Sequence, residues 1–282
     1  VANDYLGESL DRAHLGLRQG QDELIEAVAA VNPRTVVVLT TAGSVEMPWL
    51  DEVEAVMEAW YPGQEQGLAI ADLLFGAQDF SGRLPLTWPV SESQVTDELG
   101  IPNPFYDVNN PGVTVPHPEG IYVGYRGYEQ AGVEPLYSFG YGLSYTDDGL
   151  QYQRVKVKNV KLAAEKANNK GKGSAKGSAG KVRVRVRNQS DAPITEVVQV
   201  YQGELPTSVD TPEHQLLGWK KVTVPANRSR WVTIPVDVTA ATHLLSYWDA
   251  DAGEWVTPTG TTRLYVGSSL DDIELEARIR VS

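Results

Sequence analysis

The 282-residue chain contains no cysteine and only four histidines. The first absence excludes disulfides, cysteine nucleophiles, thiolate zinc sites and iron–sulfur clusters. The histidines form no H-E-x-x-H pair, which excludes the helix of a zinc protease. Neither G-x-G-x-x-G nor a P-loop nor the G-x-S-x-G nucleophile elbow occurs in the sequence. We therefore expect no cofactor and no metal ion.

Long apolar runs are also missing. No stretch approaches the roughly 18 residues that a membrane helix needs, so we expect no membrane span. Hydrophobic residues nevertheless make up 41% of the chain and charged residues 22%. That composition supports ordinary buried cores and excludes wholesale disorder. At roughly 150 residues per domain, the length predicts about two domains.

Positive charge is scarce except in one segment. The chain has 24 basic residues against 37 acids, a net charge of −13. Residues 154–187 hold 12 basic residues and one acid, a net of +11, which leaves −24 for the rest. An acidic body disfavours binding to nucleic acid or to an anionic membrane, so we expect neither partner. A neutral substrate such as a sugar fits this charge better.

The first 90 residues read as a layered α/β region. Helical and β-branched patterns predict a helix over 21–31, a strand over 35–40, a strand or helix over 55–60, and a helix over 65–75 that stops at Gly76. The strand at 35–40, TVVVLT, has no polar alternation, which is typical of strands buried on both faces. Helices alternating with such strands indicate an α/β fold.

From about residue 151 the hydrophobic pattern changes to an alternation of apolar and polar residues, with a period of two. The segments KVRVRVRN, EVVQVYQG, KKVTVP, RWVTIPVDV and TRLYVG follow one another with turn signals between them. This pattern predicts an antiparallel sandwich. The run ANNKGKGSAKGSAGK predicts a flexible loop over about 164–180. A nucleic-acid patch is the alternative interpretation of that run, but it contains no aromatic residue for stacking.

Three regions follow from these patterns: 1–90 as the α/β part, 91–150 as a connecting segment, and 151–282 as the all-β part. The connecting segment is rich in proline, glycine and aromatic residues. Two aromatic stretches, 119–128 and 139–145, either wrap a neighbouring domain or line a site.

One cluster near the N-terminus could carry chemistry. The segment GESLDR at 7–12 places Glu8 and Asp11 beside Arg12, just before the first predicted helix. A carboxyl group in a loop can act as a general acid when burial raises its pKa. The alternatives are that Glu8 is an exposed glutamate and that Asp11 and Arg12 form structural ion pairs or caps.

Several segments, taken together, resemble a known family. They are GESLDR, GQDELIEAV, NPRTVVVL, PWLDEVEAVMEAWYPGQEQGLAIADLLFG, SGRLPLTWP, EGIYVGYRGYE and PLYSFGYGLSYT. In this order and spacing they resemble glycoside hydrolase family 3, in particular its β-glucosidases. The later stretches EVVQVYQGELP, EHQLLGWKKVTV, LSYWD and RLYVGSS are similar to the fibronectin type III-like domain of such enzymes. The resemblance implies a partial α/β sandwich followed by an immunoglobulin-like, fibronectin type III-like sandwich.

The resemblance also implies that the two catalytic carboxyl groups come from different domains. In this family a barrel domain carries the aspartate nucleophile, and the α/β sandwich lends an acid/base glutamate on a loop. In members with a G-E-x-x-D-R arrangement, that glutamate lies three residues before the Asp-Arg pair, the position of Glu8. By this resemblance Asp11 and Arg12 support the loop, and Tyr5 either lines the aglycone side or packs as a structural tyrosine. The barrel and the first half of the sandwich are not in this sequence.

The expected function is therefore that of a C-terminal chain of a retaining β-glucosidase acting on terminal non-reducing β-D-glucosyl residues. A β-xylosidase and a non-catalytic carbohydrate-binding or assembly module are the alternatives. The expected partners are a β-glucoside and a barrel-bearing chain or the remainder of the same polypeptide. A half-built sheet also predicts an uncovered apolar face on strand 35–40. An oligomer stays open, and a secreted or periplasmic location is favoured over a cytoplasmic one.

Overall fold

The computed structural model describes residues 12, 14–102, 114, 116–146, 149–158, 180–236 and 242–281. Their contacts form two compact units. The first unit holds the described residues up to Gln78 together with Thr87–Tyr137. The second unit holds Asp79–Leu86 and the described residues from Ser138 onward. The domain boundaries expected after residues 90 and 150 stay a prediction.

The first unit mixes helices with a short parallel sheet. Its elements are α1 (Gln21–Ala29), β1 (Val36–Leu39), a 3-10 turn (Leu50–Glu52), β2 (Ala55–Glu58), α2 (Gln66–Leu74), a π-helical turn (Gln94–Glu98) and α3 (Tyr125–Ala131). Strands β1 and β2 pair in parallel, with Val36 opposite Ala55 and Leu39 opposite Glu58. The strand interpretation of residues 55–60 is confirmed, and the helical alternative is wrong.

Local chemistry explains where the helices end. After α1, the Asn32 side chain accepts a hydrogen bond from the Arg34 amide, and the Thr35 hydroxyl donates to the Asn32 carbonyl. This local turn replaces the helical ladder ahead of β1. Helix α2 ends before Gly76, whose φ of 73° is readily adopted only by glycine.

Apolar side chains of the first unit are only partly covered by its described residues. In β1, Val37 and Leu39 are buried, whereas Val36 is 47% exposed. Burial of this strand on both faces is therefore wrong for this unit, and an uncovered apolar face is confirmed. Helix α2 buries none of its residues, and Leu68 remains 67% exposed. Such exposed apolar surface usually marks a contact with another part of a protein.

The second unit is an antiparallel β-sandwich, as predicted. Its strands are β3 (Gln151–Lys158), β4 (Gly180–Arg187), β5 (Ile194–Gln202), β6 (Gln215–Val224), β7 (Ser229–Val236), β8 (Tyr247–Asp249), β9 (Glu254–Val256), β10 (Gly260–Gly267) and β11 (Ile273–Val281). One sheet has the order β3-β4-β7 and the other β11-β10-β5-β6, while β8 and β9 form a hairpin. Alternating side chains such as Val182, Val184 and Val186 are fully buried in its core.

A buried ion pair holds the segment 79–86 in the second unit. The Arg83 guanidinium donates to Glu196 Oε1 on β5, with Nη2 at 2.6 Å, and both side chains are less than 10% exposed. Arg83 Nη1 also donates to the Gly142 carbonyl at 2.5 Å. This links two stretches of chain to the sheet through one guanidinium, a geometry that arginine's fork of donors allows.

The aromatic stretch 139–145 belongs to the same unit, and its glycines have a steric reason. Gly140 has a φ of 87°, and a Cβ there would lie 2.5 Å from Gln199 Oε1. A Cβ on Gly142 would lie 2.6 Å from the Gly82 carbonyl oxygen. No side chain fits at either position without moving its neighbours, so glycine lets this stretch lie close to β5 and to segment 79–86.

The ion pair yields a test of stability. Arg83→Ala leaves the Glu196 carboxylate buried without its cation, so we expect a loss of about 3–5 kcal/mol in the free energy of unfolding. The matched control is Arg263→Ala, which removes an exposed pair with Glu276 at 3.8 Å. That change should cost about 0–1 kcal/mol. Urea unfolding of both variants measures the difference, and equal losses would contradict a special role for Arg83.

Candidate functional site

Polar residues meet at the carboxyl ends of β1 and β2. Ligands of open α/β sheets bind beyond the carboxyl ends of the parallel strands. Here Glu58 is the last residue of β2, and Thr41 lies two residues after the end of β1. Thr41 is fully buried. The two side chains are in direct hydrogen-bond contact, which fastens the two strand ends to each other.

The Glu58 carboxyl group is held on both oxygens. Oε1 accepts the Trp60 amide at 2.6 Å and the Thr41 amide at 3.4 Å, while Oε2 lies 3.0 Å from Thr41 Oγ1. Thr41 Oγ1 also lies 2.8 Å from the Gly43 carbonyl, to which it can donate its single proton. A neutral Glu58 satisfies this set, because its own proton then goes to Thr41 Oγ1.

The environment favours the same protonation state. Burial raises the pKa of Glu58 above its ordinary value, and the hydrogen bonds from Trp60 and Thr41 offset only part of that effect. A carboxyl group kept neutral by burial is one of the arrangements that enzymes use for acid chemistry. Glu58 is nevertheless occupied by its hydrogen bonds, so the geometry suits a structural role in fixing the strand ends.

Trp60, just beyond β2, has a strained backbone. Its φ is 52°, a left-handed value that a bulky residue rarely adopts. The hydrogen bond that the Trp60 backbone amide donates to Glu58 Oε1 holds this turn, and the Trp60 ring lies 6.2 Å from that of Trp88. The Trp88 indole in turn donates to the Val45 carbonyl at 2.8 Å. Strain of this kind persists only where the surroundings enforce it, and it is concentrated at functional sites.

Arg12 reaches the loop that follows β1. Its Nη2 lies 3.4 Å from the point where a Cβ on Gly43 would stand, so glycine leaves room for the guanidinium. Burial lowers the pKa of Arg12, while the nearby Glu92 and Tyr61 act in the opposite direction. Within the described part of the chain, Nη1 is buried and has no hydrogen-bond acceptor. This donor is available to a residue or ligand that lies outside the described structure.

The structure describes only one of the four residues expected at the site. Arg12 is described, whereas Glu8, Asp11 and Tyr5 lie outside the described residues. Sequence reasoning did not single out Glu58 or Thr41. The available signal was an acidic residue at the end of an apolar strand, a position that parallel sheets use for ligands or for fixing loops.

A shallow cavity of about 520 Å³ is lined by His14, Leu17, Arg18 and Gln19. Over the described ranges, no group of three or more histidine or acidic side chains could hold a metal ion. None of the described helices is long and apolar enough to cross a membrane.

The pH dependence of stability tests the state of Glu58. The pKa of Glu58 is raised in the folded protein. Its contribution to the free energy of unfolding is therefore complete below the ordinary pKa of 4.5 and is lost as pH rises through the pKa of the folded state. Glu58→Gln copies the neutral acid and does not titrate. Thermal unfolding should therefore favour Glu58→Gln over wild type increasingly as pH rises above the ordinary value of 4.5.

The control for that series is Glu58→Ala. It removes the acceptor of two backbone amides and should cost about 1–3 kcal/mol below the ordinary pKa of 4.5. The cost should be smaller at higher pH, where wild-type Glu58 loses its stabilising effect. A Glu58→Gln variant that loses as much stability as Glu58→Ala would show that the ionised carboxylate is needed.

Comparisons with known proteins identify the two regions. Residues 1–145 match the glycosyl hydrolase family 3 C-terminal domain, and residues 196–270 match a fibronectin type III-like domain. The chain is 36% identical to the thermostable beta-glucosidase B of Acetivibrio thermocellus, covering 100% of this chain and 34% of that protein. It is 35% identical to a beta-glucosidase of Rhizobium radiobacter, covering 97% of this chain and 31% of that one.

Solved structures agree. The β-glucosidase DesR of Streptomyces venezuelae, determined in complex with D-glucose, matches 96% of this chain at a TM-score of 0.79 and 37% identity. The chain covers 32% of DesR, so it spans about a third of the length of the relatives it matches. The resemblance seen in the sequence is confirmed over both regions. The chain therefore belongs to glycoside hydrolase family 3, of which it contains the C-terminal domain and the fibronectin type III-like domain.

Proposed function

We propose that this chain is the C-terminal part of a retaining β-glucosidase that hydrolyses terminal non-reducing β-D-glucosyl residues. The observation that carries the proposal is similarity along the whole chain to proteins named β-glucosidases, one of them determined with D-glucose. The net charge of −13 suits a neutral sugar substrate better than a polyanionic one.

Glu8 is the proposed general acid/base. A retaining glycosidase uses two carboxyl groups about 5–5.5 Å apart, one as nucleophile and one as acid/base. Glu8 protonates the glycosidic oxygen as the bond to the aglycone breaks and the nucleophile bonds to the anomeric carbon. It then takes a proton from the water that displaces the nucleophile. The aspartate nucleophile is supplied by a barrel domain outside these 282 residues.

The supporting residues act on the loop that bears Glu8. Arg12 follows Glu8 by four residues and is half-buried against the loop at Gly43. Its guanidinium anchors the end of the Glu8 segment, and Glu58 keeps the neighbouring strand ends in place through Thr41. Asp11 is assigned to the same support, and Tyr5 to the aglycone side. Correct placement of an acid within hydrogen-bond reach is what this kind of catalysis requires.

The barrel portion is proposed to come from the remainder of the same polypeptide or from a second chain. Two observations support this. The chain covers only 34% of its Acetivibrio relative. The helix α2 and the outer side of β1 leave apolar side chains such as Leu68 and Val36 exposed. Covering such surface on both sides of a parallel sheet is the usual arrangement in α/β proteins.

Replacement of Glu8 tests the catalytic assignment in the enzyme that carries its barrel. Glu8→Ala should lower kcat for glucosides with poor leaving groups by about 10²–10⁴-fold, because those need protonation. Activated aryl glucosides should lose much less in bond cleavage, and added azide should restore turnover by attacking the glycosyl-enzyme and releasing a glucosyl azide. Product analysis and kinetics on a series of aryl glucosides measure both effects.

Glu26→Ala is the matched control, because Glu26 is an exposed glutamate on α1. Its rates should equal those of wild type. Rates for Glu8→Ala that also equal wild type would remove Glu8 from the mechanism. Aryl xylosides run in parallel decide between a β-glucosidase and a β-xylosidase through the ratio of kcat/KM values.

The native mass tests the assembly. A species well above 30.8 kDa that releases this chain on denaturation would indicate a partner chain carrying the barrel. A longer polypeptide containing this sequence would indicate a single-chain enzyme. The 282-residue chain alone should not hydrolyse aryl glucosides, because it lacks the nucleophile; activity of the chain alone would contradict the proposal.

A further inference from the structure

The outer face of the sheet β3-β4-β7 is uniformly basic. Its cations, which we call the basic face, are Arg154, Lys156, Lys181, Arg183, Arg185 and Arg187. The remaining outward side chains on these strands, such as Ser229, Trp231 and Thr233, carry no charge. No carboxylate occupies an outward position of the three strands as far as their side chains are described. The positive charge of this face contrasts with the negative net charge of the whole chain, which is −13.

The strand register sets like charges directly opposite one another. Arg154 pairs with Arg185, and Lys156 pairs with Arg183. Like charges in such cross-strand positions repel and destabilise a sheet. In the described structure, no ion pair joins any of the six cations to a carboxylate. An arrangement that costs stability and has no carboxylate partner among the described residues favours an external anionic partner.

Part of the basic face is held in place. Lys156 Nζ lies 5.1 Å from the centroid of the Trp231 ring, and Arg183 Cζ lies 5.0 Å from it. Cation–π contacts of this kind orient both side chains beside the ring. The ring therefore fixes two cations on adjacent strands, which lowers the ordering cost of binding an anion.

The second sheet of the same unit has a different outer face. On β10 and β11, Arg263 pairs with Glu276 at 3.8 Å. Along the exposed face of β11, two acids are followed by two bases: Glu274, Glu276, Arg278 and Arg280. Mixed charge is the ordinary solution for a solvated sheet face. The basic face is thus a property of one sheet and not of the sandwich as a whole.

We propose that the basic face binds a linear acidic polysaccharide, a polymer that carries one carboxylate on each sugar. Neighbouring strands place cations about 4.8 Å apart, and alternate residues of one strand place them about 6.7 Å apart. This array suits regularly spaced carboxylates, which guanidinium groups bind through two parallel hydrogen bonds. The face holds a polymer beside the enzyme and takes no part in bond cleavage.

A sugar polymer fits better than a nucleic acid. Proteins that bind single strands rely on aromatic rings on which bases stack. The basic face has one such ring, Trp231, and it already carries Lys156 and Arg183. The choice of a sugar polymer over other polyanions rests on the proposed glycosidase function. The inference that the basic face binds a polyanion does not depend on that function.

The test measures binding without turnover, so its result is independent of the role of Glu8. The probe is an oligogalacturonate of defined length, compared with a neutral cello-oligosaccharide and a single-stranded oligonucleotide of equal charge. The variant Arg154→Gln/Arg185→Gln/Arg187→Gln removes three exposed cations of the basic face. The control Lys220→Gln/Arg278→Gln/Arg280→Gln removes three exposed cations from the other sheet. Circular dichroism and thermal unfolding verify that both variants fold.

Wild type should bind the oligogalacturonate with an affinity that falls linearly on a log–log plot against salt, and should not bind the neutral oligosaccharide. The basic-face variant should bind about tenfold or more weakly at low salt and show a shallower salt slope. The control variant should bind as tightly as wild type. In the enzyme that carries its barrel, both variants should hydrolyse small aryl glucosides at the wild-type rate. Three outcomes would overturn the proposal: no salt-sensitive binding, equal losses in the two variants, or tighter binding of the oligonucleotide.

Discussion

A parallel sheet needs cover on both faces, and the first unit provides it on one. Strands β1 and β2 bury Val37, Leu39 and Met57, yet Val36 and the whole of α2 stay accessible. The position of the candidate site follows from the same sheet, because parallel strands bring their carboxyl ends to one edge. The loops after β1 and β2 meet there, and Thr41, Glu58 and Trp60 tie them together.

Two glutamates, one buried and one partly buried, are accommodated in different ways. Glu196 lies in the second unit beside Arg83, whose charge balances it at 2.6 Å. Among the described residues, the hydrogen-bond partners of Glu58 are two backbone amides and a hydroxyl, and burial raises its pKa. A buried carboxyl group must be either paired or neutral, because an isolated charge is too costly to desolvate. Glu196 is paired with a cation, whereas the raised pKa of Glu58 favours its neutral form.

The second unit combines a conventional core with one unusual surface. Its inward valines and isoleucines form a continuous cluster between the two sheets. The outward side chains do not pack in this core, so their charges are set by solvation and binding and not by packing. One sheet carries outward charges of both signs, whereas the described outward charges of the other are all cations, two of them beside Trp231. The outer face of one sheet can carry a binding surface without disturbing the core, because successive side chains of a strand point to opposite faces.

Much of this organisation is determined by the sequence alone. Helices α1 and α2, the switch from helical to alternating period, and strands β4, β5, β6, β7 and β10 follow from local patterns that depend on neighbouring residues only. Helix α3 was not predicted, because its segment 125–131 has little periodicity. The family resemblance adds the assignment of Glu8, which stays a prediction. Gly140 and Gly142 could be recognised as part of a motif, although the side chains they make room for could not.

Tertiary structure decided what those patterns could not contain. Arg83 and Glu196 are 113 positions apart, and no periodicity relates them. Burial of Glu58 depends on the pairing of β1 with β2, and the opposition of Arg154 to Arg185 depends on a register shift between Tyr152 and Arg154. The patterns of α1 and α2 indicate apolar faces but not what covers them. Periodicity specifies which side of an element is apolar, whereas partners far apart in the chain are specified only when the chain folds.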